Sequence, residues 1–241
     1  RFEHVLPLRS VFIIATAERK YNHVVAAAEF APDDYLVKPY TPDQLAVRLD
    51  RSLRKKKALR GVFDHLEKSE HEAAIAACDR ALKASPRYAL DALRIKAESL
   101  VTLGRIEEAA AIYESIVSTR AVPWARMGYA MTLQRQKKFD EAMDETQRLN
   151  EEHPEFISVY DMLGKMHEET GDYRKAIECL ERASSITSAS NTGRLRKIAD
   201  IATEYFGLPD SVEVAVEDGR AYLTASQEKF DVIMVDAYQD I

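Results

Sequence analysis

The chain has 241 residues, of which 46% are apolar and 31% charged, with a formal net charge of −6. This balance suits a globular protein that buries a sizeable core in one large domain or two to three small ones, and it lacks the clustered basic excess that marks nucleic-acid binders. The longest apolar run near the start, VFIIATA, falls far short of the roughly 20 residues that span a bilayer, and no signal-peptide pattern surrounds it. Neither nucleic acid nor membrane is therefore expected as a partner, and the expected location is cytoplasmic. The two cysteines, Cys78 and Cys179, stand far apart within helical patterns. Without CxxC or Cys/His ligand spacing they read as reduced, packed thiols, and no metal is expected.

In chain order, residues 10–53 alternate strand and helix. SVFIIATA is a continuous β-rich run suited to a buried parallel strand, NHVVAAAEFA is a short helix, and DYLVKP is a second strand. TPDQLAVRLDRSL then starts a helix with Thr41 as cap and Pro42 in the first turn. That helix runs through RSLRKKKAL directly into the following segment, its basic run from Arg54 to Lys57 reading as a solvated face. This β-α-β-α stretch resembles the last two strands and helices of a response-regulator receiver domain. The resemblance implies that Thr16 and Lys38 match the hydroxyl and ammonium groups that hold a phosphoryl group, Pro39 the proline after the lysine, and Tyr35 the switch aromatic. A phosphoaspartate needs such donors on its oxygens. Only nine residues precede SVFIIATA, and the family's acidic pair and phosphorylated aspartate have no counterpart there. Residues 1–56 are accordingly expected to be the C-terminal half of a receiver-like α/β domain, not phosphorylatable as given, able to serve in docking or dimerisation.

From about Lys57 to Ala202 there is almost no strand signal, and apolar residues recur at helical spacing between short polar breaks. Four stretches superimpose on one another: KSEHEAAIAACDRA, LGRIEEAAAIYESI, QKKFDEAMDETQRL and TGDYRKAIECLERA. Their aligned alanines, Ala74, Ala109, Ala142 and Ala176, lie 35, 33 and 34 residues apart, one helix-turn-helix unit per period. The units resemble tetratricopeptide repeats, spanning 57–87, 88–121, 122–155 and 156–189, with a further first helix from Gly193 to about Tyr205. Small residues fall where paired helices approach closely, at Ala97 with Ala109, Ala130 with Ala142 and Gly164 with Ala176, and Ile106, Phe139 and Tyr173 fill the wedge before each second helix. The resemblance implies a protein or peptide partner on the concave face built by first helices. Arg94, Arg126, Tyr129, Gln134, Tyr160 and Lys165 are the residues expected to be exposed there.

After Tyr205 the pattern changes again. SVEVAVED alternates like a strand, GRAYLTASQ is helical, and KFDVIMVDAY is a strand with an aspartate at its carboxyl end, where open α/β sheets place ligands. The segment resembles spermidine synthases and their S-adenosylmethionine-dependent methyltransferase-like relatives. That match implies that Asp218 and Gly219 lie beside the adenine of a nucleoside ligand and that Asp236 orients or deprotonates an attacking amine. The family's glycine-rich loop has no counterpart, since none of the eight glycines forms a G-x-G cluster. The same stretch also resembles part of a receiver, in which Asp236 would be the phosphoacceptor of a permuted arrangement with Lys38 and Thr16.

The expected fold is mainly α: a helical solenoid over 57–203, flanked by partial α/β segments, receiver-like over 1–56 and Rossmann-like over 204–241, in a chimeric or truncated chain. The expected function is a protein-interaction scaffold of a two-component signalling type. The alternatives are an aminopropyl- or methyltransferase-like enzyme fragment and the permuted receiver. No cofactor is expected, an S-adenosylmethionine-type nucleoside entering only with the enzyme alternative. Two-stranded sheets with bare apolar edges recruit partners, so the flanks are expected to support a homodimer.

Overall fold

The computed structural model of the protein describes residues 8, 10–16, 32–120, 122–186 and 192–206. Two strands come first, β1 (Ile13–Thr16) and β2 (Asp34–Val37). The helices follow: α1 (Pro42–Ala58), α2 (Arg60–Leu66), α3 (His71–Ala84), α4 (Ala89–Thr102), α5 (Ile106–Val117), α6 (Pro123–Arg135), α7 (Phe139–Glu152), α8 (Ile157–Glu169), α9 (Tyr173–Ile186) and α10 (Thr192–Phe206). The chain divides into two units, residues 1–156 with α1 to α7 and residues 157–241 with α8 to α10.

The repeat is written into the backbone at the end of each first helix. Ser69, Gly104, Lys137 and Gly171 all have positive φ, at 58°, 77°, 61° and 82°, and they recur at the same 35-, 33- and 34-residue intervals as the alanines. Each closes the same pair of hydrogen bonds. The Gly104 amide donates to the Val101 carbonyl at 3.1 Å and the Arg105 amide to Leu100 at 2.9 Å; the Lys137 and Lys138 amides reach Gln134 and Leu133 at 2.9 and 3.0 Å. Ser69 with Glu70, and Gly171 with Asp172, repeat the pattern. This left-handed cap satisfies the carbonyls that a helix end leaves orphaned and turns the chain back on itself. Glycine adopts it freely, whereas Ser69 and Lys137 carry a Cβ into a region that L-residues avoid. Lys137→Gly is therefore expected to raise the unfolding free energy by roughly 0.5–1 kcal/mol, and Gly104→Ala to lower it by about as much, in urea denaturation.

Five residues after each of these turns the second helix presents its alanine. Ala74, Ala109, Ala142 and Ala176 have no solvent exposure, nor do Ala97 and Ala130 on the first helices. A Cβ on Gly164 would lie 3.4 Å from the Ala176 carbonyl oxygen, so a larger group has no room there. In the first unit one core joins Leu59, Val62 and Phe63 to Ala77, Cys78 and Ala81. A second joins Leu100, Ala109, Tyr113 and Ala125. In the second unit Ala176, Leu180 and Ile201 pack α9 against α10. The sequence pattern gave no warning of one close approach: a Cβ on Gly128 would come within 2.8 Å of Tyr113 Cδ1 and nearer still to two other atoms of its ring. Tyr113 is buried and has little room to move away. Gly128→Ala and Ala142→Leu are each expected to cost roughly 1–3 kcal/mol, read as a drop in melting temperature at unchanged helix content.

The front end departs from the expected receiver. Its described residues form a two-stranded parallel sheet, with Ile13 opposite Asp34 and Thr16 opposite Val37. A receiver or Rossmann sheet needs several adjacent strands, because its ligand site is a crevice along the carboxyl ends of a wide sheet covered on both faces. Two strands and one following helix provide no such crevice. Thr16 lies at the end of β1, the Tyr35 amide donates to the Asp34 carboxylate at 2.8 Å, and Lys38 is exposed just past β2, joined to Pro39 by a cis peptide bond. Without that wider sheet among the described residues, the receiver domain and the two-component role fall, as does the permuted receiver built on Asp236. No Rossmann sheet occurs among the described residues either; Asp218, Gly219 and Asp236 lie outside them. The helix expected to run unbroken into the repeats is interrupted at Leu59, whose φ of −99° and ψ of 12° leave helical geometry. Leu59 is instead buried in the core with Val62 and Phe63.

Candidate protein-docking face

In the first unit, side chains bridge the first helices α4 and α6, and α1 ahead of the repeats also reaches α4. Lys55 Nζ of α1 lies 3.5 Å from Asp91 Oδ1 of α4. Arg94 of α4 sets its guanidinium 5.2 Å from the centroid of the Trp124 ring on α6, and Arg135, at the end of α6, donates Nη1 to the Val101 carbonyl of α4 at 3.4 Å. Arg94 also donates Nε to Glu98 Oε1 at 2.8 Å, which fixes the guanidinium over the indole. A cation so placed is attracted by the ring's negative face. Tyr113 meets the indole in an edge-on arrangement, the ring centroids 6.4 Å apart.

Along α6, Trp124, Met127 and Met131 follow at three- and four-residue steps and so share one side of the helix. Met131 is exposed, with Trp124 and Met127 half-buried beside it. The result is an apolar strip with a guanidinium at each end. Arg94 is partly neutralised by Glu98, while Arg135 meets only a carbonyl through its described bond and keeps its charge. Such a strip can seat an aliphatic or aromatic side chain and orient a neighbouring carboxylate.

Of the residues expected at a docking face, Arg94 stands in this strip. Arg126 points elsewhere: its Nη1 donates to Glu152 Oε1 at 2.6 Å and its Nε lies 3.6 Å from Glu145, tying α6 to α7 of the same repeat. Tyr129 is half-buried against the core. Its phenol is pushed up chiefly by burial and further by Glu114, Glu141 and Glu145. Gln134 is buried at the end of α6. In the second unit Tyr160 is buried, whereas Lys165 is exposed, 3.9 Å from Glu169. There α8 and α10 are joined by Arg194, which donates Nε and Nη2 to the two oxygens of Asp161 at 2.6 and 2.5 Å, and by Lys197 with Glu168 at 2.6 Å. Sequence reasoning passed over Trp124, Met131 and Arg135, although a lone tryptophan at the start of a first helix was an available signal.

Among the described residues no group of three or more His, Cys, Asp or Glu side chains could hold a metal ion, and no helix is long and apolar enough to cross a membrane. Cys78 and Cys179 are free thiols, each pushed up to about 11, first by burial and then by a neighbouring carboxylate, Asp79 or Glu178.

Successive helical hairpins closed by one recurring turn, with side chains lining the face of their first helices, define a helical-repeat protein. Tetratricopeptide-repeat family models match residues 64–123, 124–155 and 157–189. The stretch from 64 to 189 belongs to that family. Among solved structures, Pseudomonas aeruginosa pilF is 18% identical, with a TM-score of 0.54 over 62% of this chain and 68% of that one. TTC0263, a tetratricopeptide-repeat protein from Thermus thermophilus, is 18% identical, with a TM-score of 0.51 over 62% and 81%. MamA from Desulfovibrio magneticus RS-1 is 15% identical, with a TM-score of 0.53 over 62% and 84%. At these identities the likeness is one of fold. A probable polyamine aminopropyl transferase of Bifidobacterium longum is 46% identical over 72 residues, 30% of this chain; the chain spans only 16% of that relative.

If Arg126 serves the repeat and not the partner, Arg126→Met should lower stability by about 1–2 kcal/mol, since Glu145 and Glu152 lose a largely buried cation. Ligand affinity measured well below the melting temperature should stay within about twofold.

Proposed function

We propose that the repeat array, over 57–203, is a scaffold that recognises a protein or peptide on the face of its first helices, through Trp124, Met127 and Met131 with Arg94 and Arg135 at the ends. The observation that carries this reading is the exposed Met131, two turns along α6 from an indole that both Arg94 and Tyr113 approach. A folded chain normally keeps such a surface only where something binds, because apolar side chains rimmed by charge are the composition of interface centres. A net charge of −6 favours a protein over a nucleic acid as the occupant. Two free thiols fit a cytoplasmic setting.

Trp124 is the chain's one tryptophan, so its fluorescence reports on the site without a label. Peptides selected from a displayed random library against the protein should change that emission on binding. Met131→Glu should weaken them roughly tenfold or more, as expected for an anchor contact. Ser115→Glu, on the exposed side of the second helix α5, should leave them unchanged. Selected peptides that bind Met131→Glu as tightly as the parent and leave the emission unaltered would overturn the assignment of the face.

A further inference from the structure

The sulfur-bearing side chains of the described residues differ sharply in access. Met131 is 41% exposed, whereas Met162 and Met166 are 5% and 0% exposed and Met127 and Met143 are half-buried. It stands within the docking strip, one turn of α6 from Met127 on one side and from Arg135 on the other. The two thiols are poorer targets for an oxidant. Cys78 is buried and Cys179 half-buried, and each is pushed up to about 11, chiefly by burial, so little of either exists near neutral pH as the reactive thiolate. A thioether has no proton to lose, so access governs how readily its lone pair meets an oxidant.

We propose that Met131 is a modification site, at which a peroxide oxidises the thioether to the sulfoxide and so closes the strip to its partner, an inference that rests on the docking face proposed above. The sulfur lone pair attacks one peroxide oxygen, and an S–O bond forms as the O–O bond breaks. Sulfur gives up two electrons. The departing hydroxide takes the proton left on the transferred oxygen and leaves as water. The product carries a polar, hydrogen-bond-accepting oxygen where the strip was apolar. An aliphatic or aromatic side chain seated there would strip water from that oxygen and offer no donor in return. Because a bound partner covers Met131, oxidation acts on the free scaffold, and binding and oxidation oppose each other.

Treatment of the 241-residue chain with hydrogen peroxide tests this, with mass mapping of proteolytic fragments and titration with the peptides selected against the strip. Met131 should gain one oxygen before Met162 and Met166 do, and a saturating selected peptide should slow that gain. The oxidised chain should bind the peptides roughly tenfold or more weakly, as for loss of an anchor contact. Met131→Leu keeps an apolar side chain of similar volume without the sulfur, so it should bind within about twofold of the parent and lose no affinity on the same treatment. Oxidation of Met131 no faster than that of Met162 or Met166 would overturn the proposal, as would an equal loss of affinity in the parent and in Met131→Leu. A sulfoxide at Met131 that leaves affinity unchanged, while Met131→Glu weakens the peptides, sinks the modification alone; unchanged affinity in both sinks the docking face with it.

Discussion

Everything in the repeat region depends on a turn that reverses the chain at the end of each first helix. A helical hairpin of this length has one apolar side and cannot bury it alone, so it is stable only when stacked on a neighbour. Stacking needs each hairpin to close at the same angle, and that angle is set by one left-handed residue at Ser69, Gly104, Lys137 or Gly171. The two hydrogen bonds that follow it hold the second helix where its alanine can approach the first. That two of the four positions are not glycine shows how far the surrounding contacts can impose a conformation that the residue itself resists.

The close approach of the helices in turn decides where large side chains go. With alanines at the crossing, bulky residues are displaced to the junctions between repeats, where Tyr113 fills the space left by Gly128. Tyr113 then braces Trp124, and Arg94 from the preceding repeat covers the indole. The docking strip is thus a product of the joint between two repeats. A single hairpin would hold neither the ring nor the guanidinium in place, which ties the proposed docking to the stacking that also provides stability.

The front end obeys the opposite logic. Its described residues form a sheet of two strands, whose attachment to the helices is largely ionic: Asp33 accepts from Lys55, Lys56 and the Phe12 amide. Two ammonium groups on one half-buried carboxylate hold the geometry more than they add stability, because desolvation offsets much of the attraction. The leucines of α1 accordingly remain outside the core that begins at Leu59.

The roughly 34-residue rhythm, the alanines at the helix crossings and the helical character of the described residues from 60 to 206 were legible in the residues, because helical periodicity and small-residue spacing are local properties that each repeat states again. The front segment shows the limit of such reasoning. Strand and helix alternation there is local, and among the described residues it reads as β1, β2 and α1, the helix expected at NHVVAAAEFA lying outside them; the number of strands that join a sheet is not local, and the receiver inferred from Thr16, Tyr35 and Lys38 required a sheet wider than the one the described residues form. Arg94 could be placed on a first helix from sequence. That it would lie on Trp124 depended on the angle between neighbouring hairpins, and that Arg126 would turn to Glu145 and Glu152 on the packing inside its own, and only tertiary packing fixes either.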